Sequence, residues 1–296
     1  MTAGEQNFSP ETPSPASRDT ETEPVAKFED RRPDGPVLHD LTQSGDLAVP
    51  WDWFDLFLLV IMAFAGFLLL GVALASALHL VGFSAAHSGR APTAGILFAI
   101  VVQILVDLSL LGYLALQIRF RFRKPFWRTI GWRPLVTEKF PPAIAYIGLA
   151  FAGFLLTALV SLVSATHPPS QKLPIETVFQ SRPAVILYMM TAVFVAPLVE
   201  EVIFRGYLYP VAARSFGVLG GVLFTGTLFG LMHGAQLWGG WWQILLLVFV
   251  GIVFTAVRAA TRTITSSFTL HLAYNSTQVI AFLVAFFGGH GTPPVQ

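Results

Sequence analysis

The chain has 296 residues, 54% of them hydrophobic and only 12% charged, with a mean hydropathy of +0.65. Soluble domains carry about 25% charged residues, so the composition argues against a water-soluble globule and for a multi-pass helical membrane protein. A net charge of +1 gives no basis for nucleic-acid binding, and the absence of cysteine removes a disulfide framework, a thiolate metal site and a cysteine nucleophile.

Charge is unevenly spread. Residues 1–50 hold ten acids and four bases, together with seven of the twenty prolines, and show no apolar periodicity. They are expected to form a disordered acidic tail. No basic stretch followed by an apolar run marks a signal peptide; the first membrane segment, beginning near Trp51, is expected to serve as an uncleaved insertion signal. About 20 apolar residues cross a bilayer. On that basis seven spans are predicted, over residues 53–80, 93–118, 142–166, 184–213, 218–237, 242–257 and 264–287. The predicted fold class is all-α, a polytopic helical membrane bundle of about seven transmembrane helices, or eight if the long fourth span breaks at Pro197.

Orientation follows from the basic residues. Arg119, Arg121, Arg123, Lys124, Arg128, Arg133 and Lys139 fall between spans two and three, Arg214 follows span four, and Arg258 and Arg262 follow span six. The positive-inside rule places all three loops in the cytoplasm, with the N-terminus inside and the C-terminus outside. The alternation of Phe and Arg over 119–127 reads as an interfacial anchor with snorkelling side chains, ahead of a lipid- or partner-binding patch.

Few ionisable groups remain within the spans: Asp107, Glu200, Glu201, Arg205, His233 and His271. A charged side chain at the bilayer centre costs roughly 2.5–3.5 kcal/mol on the insertion scale, so a helix with three in six residues persists only if they face a protein or water-filled interior. Glu201 and Arg205 are four apart and share a helix face, where they can pair. Glu200 points about 100° away from Glu201 and is left without so good a partner. An internal salt bridge that locks helices accounts for Glu201 and Arg205; it accounts less well for Glu200, which is a candidate general base. Glu200 and His233 both lie sixteen residues from a predicted turn near Ser215–Gly217, or roughly 24 Å along antiparallel helices. His271 lies nine residues beyond Arg262, and Asn275 one helical turn further on the same face. A carboxylate, two imidazoles and a carboxamide can therefore converge in the inner two-thirds of the membrane.

These residues form three motifs: Glu200-Glu201-Val202-Ile203-Phe204-Arg205 fits EExxxR, Phe229-Gly230-Leu231-Met232-His233 fits FxxxH, and His271-Leu272-Ala273-Tyr274-Asn275 fits HxxxN. In this order, on successive membrane helices, they resemble the CPBP family of CAAX prenyl endopeptidases and bacteriocin-processing or immunity proteins. The resemblance covers about residues 180–287. It implies a helical membrane bundle and an intramembrane endopeptidase in which Glu200 and His233 activate a water. It also implies that His271 and Asn275 stabilise the oxyanion, while Glu201 and Arg205 orient the site. The domain reading is then an N-terminal tail (1–50), N-terminal transmembrane helices (51–179), a catalytic transmembrane domain (180–287) and a C-terminal tail (288–296).

Two glutamates and two histidines also suit a divalent ion such as zinc, with Glu200, His233 and His271 as candidate ligands. A glutamate-activated water needs no ion, and both readings stand at this point. There is no HExxH, no GxGD pair of aspartates and no GxSxG elbow. Asp107 has no assigned role beyond packing or support of the site. The expected partners are the lipid bilayer and a peptide or protein substrate, lipid-modified or membrane-embedded, with no nucleic acid. The expected location is a cell membrane of bacterial inner-membrane type. Two other functions compete: a non-proteolytic immunity or scaffold protein, and an ion- or proton-coupled transporter. The transporter is disfavoured because the first and third spans carry no intramembrane charge and no internal repeat is visible.

Overall fold

The structure, a computed structural model, describes residues 45–80 and 91–287. Residues 1–44 of the predicted tail and the predicted C-terminal tail, 288–296, lie outside the described residues. Among the described residues the chain is helical throughout, with no strand.

Helix α1 is Trp53–Leu80; α2 is Ala91–Leu116, extended by a π-helical turn over Gln117–Arg121; α3 is the short Phe126–Thr129; α4 is Pro142–Thr166. A 3-10 segment, Pro174–Gln180, leads into α5 (Arg182–Met190), a π-helical turn (Thr191–Val195), α6 (Ala196–Glu200) and a second π-helical turn (Glu201–Leu208). Then come α7 (Tyr209–Met232), α8 (Trp241–Thr261) and α9 (Ile264–Phe287). Five stretches among the described residues are long and apolar enough to cross a membrane: Trp53–His79, Thr93–Arg121, Pro142–Thr166, Arg182–Met232 and Trp241–Thr261. Length and apolarity alone therefore return five stretches, not seven. The predicted span 184–213 and most of 218–237 fall within one of them, Arg182–Met232, and Ile264–Phe287 is not among the five.

The 51-residue stretch is a hairpin, not a rod. Gly217 adopts φ +74° and ψ 167°, outside the helical region. A left-handed φ of this kind suits glycine, which has no Cβ to clash. Ala213 and Gly221, four residues to either side, are in close contact. The Phe204 and Phe229 rings, also nearly symmetric about the turn, meet edge to face at 5.3 Å. Pro197 does not break the helix. Proline lacks the N–H that a helix needs and crowds the preceding turn; here the wide turn over Thr191–Val195 lies just before it. The Ala196 N–H bonds to the Thr191 carbonyl, five residues back, so the chain passes the proline without stopping.

Small residues draw the helices together, as they do where lipid supplies no hydrophobic drive for helix association. Gly226 and Gly230 on α7 lie against the backbone of Ile252 and Val248 on α8, and Gly251 of α8 returns the contact to the Gly226 carbonyl. Gly153 on α4 meets the Leu270 carbonyl of α9 in the same way. Thr157 strengthens that seam by donating to the Tyr274 carbonyl. Large apolar side chains such as Phe57, Phe64 and Leu68 point outward from α1, the inverse of a soluble fold and the arrangement expected in lipid.

The basic segments gather at one end. Ile264 N–H bonds to the Gly131 carbonyl, and Thr263 contacts the Arg133 backbone. Arg214 donates to the Val49 and Trp51 carbonyls, and Arg258 pairs with Asp46 at 2.9 Å. Residues 46–50, assigned to the tail by composition, thus pack here beside Trp51, with Leu47, Val49 and Trp51 buried. At the other end the His167 ring meets Trp242, Gln243 donates to the His167 carbonyl, and Ile175 N–H bonds to the Gln236 carbonyl.

Candidate active site

Four elements supply the site. The α6 end and the π-helical turn after it carry Glu200, Glu201 and Arg205; the end of α7 carries His233; α8 passes alongside; α9 carries His271 and Asn275. A π-helical turn leaves backbone groups in an expanded ring and is often found at functional sites. Here it lets adjacent glutamates serve different partners.

Glu201 and Arg205 are both completely buried, with Arg205 Nη1 3.1 Å from Glu201 Oε1. The guanidinium also donates from Nη2 to the Gly251 carbonyl at 3.0 Å, at the α7–α8 seam. Three rings enclose it, with Phe229 at 4.4 Å, Phe254 at 5.3 Å and Phe204 at 5.9 Å from Cζ. Ring faces attract a desolvated cation, so the cage replaces part of the lost hydration. The other Glu201 oxygen, Oε2, accepts a 2.5 Å hydrogen bond from Ser267 Oγ, and Oε1 also faces His271 Nδ1 at 3.1 Å. Glu201 is thereby saturated by an arginine, a serine and a histidine.

Glu200 is different. Its side chain is 24% exposed, and its two oxygens face two imidazoles: Oε1 lies 3.9 Å from His233 Nε2, and Oε2 lies 3.6 Å from His271 Nε2. Both histidines are held from behind through Nδ1, His233 by the Phe229 carbonyl at 2.9 Å and His271 by Glu201. A carbonyl can only accept, so His233 Nδ1 carries the proton, and a neutral His233 presents the Nε2 lone pair toward Glu200. Gaps of 3.6 and 3.9 Å are too wide for direct hydrogen bonds.

Asn275, one helical turn beyond His271 on α9, is turned to the chain, donating from Nδ2 to the Ala192 carbonyl at 2.8 Å. A carboxamide has two N–H donors, so one remains. Asp107 accepts from Gln103 at 2.7 Å on α2, which packs against α6. Thus the three motifs meet around Glu200, with Glu201 and Arg205 behind it.

The metal reading can be tested against this geometry. Among the described residues no group of three or more His, Asp or Glu side chains has the arrangement to hold a metal ion. The two imidazoles face separate oxygens of Glu200 at 3.9 and 3.6 Å, against roughly 3.3 Å between ligands that share a tetrahedral zinc at about 2.0 Å.

Sequence reasoning did not single out Ser267, the Gly251 carbonyl or the Phe229–Phe254 cage. Ser267 stands four residues before His271, on its helix face, and that spacing was the available signal. The carbonyl and the cage depend on how α8 crosses α7, which no local pattern encodes.

Residues 182–277 match the family model described as type II CAAX prenyl endopeptidase, Rce1-like. No curated protein and no solved structure matches the chain. The matched segment runs from the start of α5 into α9 and contains every residue of the Glu200 cluster from Glu200 to Asn275. Residues 182–277 thus carry a segment similar to the type II CAAX prenyl endopeptidases, which supports assignment of this part of the chain to the CAAX protease family.

Proposed function

We propose that the chain hydrolyses a peptide bond within the membrane, using a water held between Glu200 and His233. The observation that supports this most is the pair of imidazole Nε2 atoms facing the two oxygens of one partly exposed carboxylate. Glu200 takes one proton from the water while the His233 Nε2 lone pair accepts a hydrogen bond from the other, aiming the oxygen at the carbonyl carbon. The C–O bond forms, and the carbonyl oxygen becomes an oxyanion. Asn275 offers it the spare N–H. His271 donates from Nε2 when doubly protonated, with Glu201 balancing the imidazolium charge. Glu200 then returns its proton to the amine nitrogen as the C–N bond breaks, leaving a new carboxylic acid, which still carries the second water proton and passes it to the amine, and one new amine. A base of this kind contributes typically 10²–10⁴-fold, and a fixed oxyanion donor about 2.7–4 kcal/mol.

In this reading the chain crosses the membrane seven times, with the basic end and N-terminus in the cytoplasm. The hairpin at Gly217 makes spans four and five from one continuous stretch, and α9 is the seventh span. The four domain limits predicted from composition and motifs complete the reading, and the bilayer is that of a bacterial inner membrane. Glu201, Arg205 and Ser267 act through His271, as positioning residues.

The reading is tested by comparing membrane peptides in cells carrying wild type or Glu200→Gln. Fragments that vanish with the variant are expected and would identify the substrate. Identical fragment sets, with the variant present at wild-type level, would contradict it.

A further inference from the structure

A shallow groove, open along most of its length, runs on the outer face of α2. Leu108, Leu111, Leu116, Phe126 and Trp127 wall it, and Arg119 lines it toward the basic loop. Gly112 leaves its floor open: no atom lies within 4 Å of where a Cβ would stand. The groove opens where an apolar helix surface faces lipid, so its body suits a hydrocarbon chain.

Its mouth is cationic. No acid occurs between Asp107 and Glu138, while Arg119, Arg121, Arg123, Lys124, Arg128 and Arg133 fall between them. Arg121 is taken by the buried Asp55. Arg119, Arg123, Lys124 and Arg128 are exposed and have no carboxylate partner among the described residues. Arg123 moreover sits at φ +53°, in the left-handed region. Glycine or asparagine would occupy this position with less strain, and strain retained with a charged side chain points to use of that side chain. The Trp127 and Trp132 rings pack edge to face at 5.3 Å beside these cations, the pairing of aromatic and basic groups found at headgroup depth.

We propose that this groove binds one anionic phospholipid, its acyl chain between Leu108, Leu111 and Trp127 and its headgroup phosphate held by Arg119 with Arg123, Lys124 and Arg128. The acidic residues 1–44 could neutralise those cations, but they hold no apolar run to fill the groove, so the occupant is the lipid. A purely interfacial anchor would need neither the groove nor the strained arginine. The proposal is independent of the hydrolytic reading, because it is read out by binding alone.

Purified full-length protein is titrated in detergent with phosphatidylglycerol or with phosphatidylcholine of the same chains, and bound lipid is counted by native mass spectrometry. Wild type should retain one phosphatidylglycerol in preference to phosphatidylcholine. Each cation near an anionic surface is worth about fivefold, so Arg119→Gln with Lys124→Gln should reduce the preference by about 25-fold. Gly112→Leu should fill the groove, lose the bound lipid and leave the helix intact, since leucine favours helix over glycine. Equal retention of both lipids by wild type would overturn the proposal, as would a preference that survives the double substitution. Binding that appears only after residues 1–44 are removed would make the tail the native occupant and would equally overturn it.

Discussion

Adjacent glutamates in the same helical turn have different surroundings, and the proposed roles follow from them. Glu201 is saturated by Arg205, Ser267 and His271, whereas Glu200 meets two imidazole edges across gaps too wide for direct hydrogen bonds. Arg205→Ala would leave Glu201 buried opposite a vacated cage; breaking a buried pair in this way costs about 3–5 kcal/mol, so unfolding in detergent should shift by that amount. Ser267→Ala has a different signature. It removes one donor to a carboxylate, worth roughly 1.5–3 kcal/mol, and frees Glu201 to tilt away from His271. Turnover is expected to fall by about one to two orders of magnitude with KM little changed, and Ser267→Thr should restore most of it. A loss confined to protein yield, with kcat intact, would make Ser267 a packing residue only. At this scale much of the constellation is legible in the chain, because charged groups inside apolar spans are conspicuous and equal distances from a turn fix equal depth. Ser267 escapes notice because a serine in a membrane helix bonds to its own backbone as readily as to a partner; Thr157, Thr255 and Thr261 here do so.

At the scale of helices, the site depends on how closely α7 and α8 approach. Gly226 and Gly230 lie one turn apart, against the backbone of Ile252 and Val248, and Phe229 and His233 are set by the same turn. A Cβ on Gly226 would come within 2.5 Å of Ile252 N. Gly226→Leu must therefore push the helices apart, and the expected cost is about 1–3 kcal/mol or more, with loss of activity, read by thermal unfolding and by peptide cleavage. Gly148→Leu on α4 is the matched control. That glycine is exposed with nothing within 4 Å, so the larger side chain should leave both readouts unchanged. Hydropathy locates the apolar stretches, yet it does not reveal the π-helical turns, whose composition is no different from that of the α-helix around them. Nor does it tell whether proline at 197 breaks a helix or is absorbed by a wide turn before it. That outcome depends on one backbone hydrogen bond, Ala196 N–H to Thr191 carbonyl.

For the whole molecule, charge sets the frame. The basic loops meet at one end, where residues 46–51 are tied down by Arg214 and Arg258, and the exposed tryptophans 238, 241 and 242 stand near the other. The proposed orientation, with the basic end in the cytoplasm, rests on the positive-inside rule. Because the chain has no cysteine, single introduced thiols report position without background. Arg123→Cys should resist a membrane-impermeant maleimide applied from outside, and Trp238→Cys should react with it; the reverse pattern would invert the topology. Composition alone indicates a membrane bundle, but it does not reveal that Leu47 and Val49 pack as core although their neighbours read as tail. The central claim concerns one carboxylate. Purified wild type and Glu200→Gln, shown to unfold at the same temperature, are compared in single-turnover hydrolysis of a membrane-inserted peptide substrate. Wild type should release a new amine, and the variant should be slower by at least about 10²-fold; hydrolysis by the variant at the wild-type rate would contradict the assignment of Glu200 as the base.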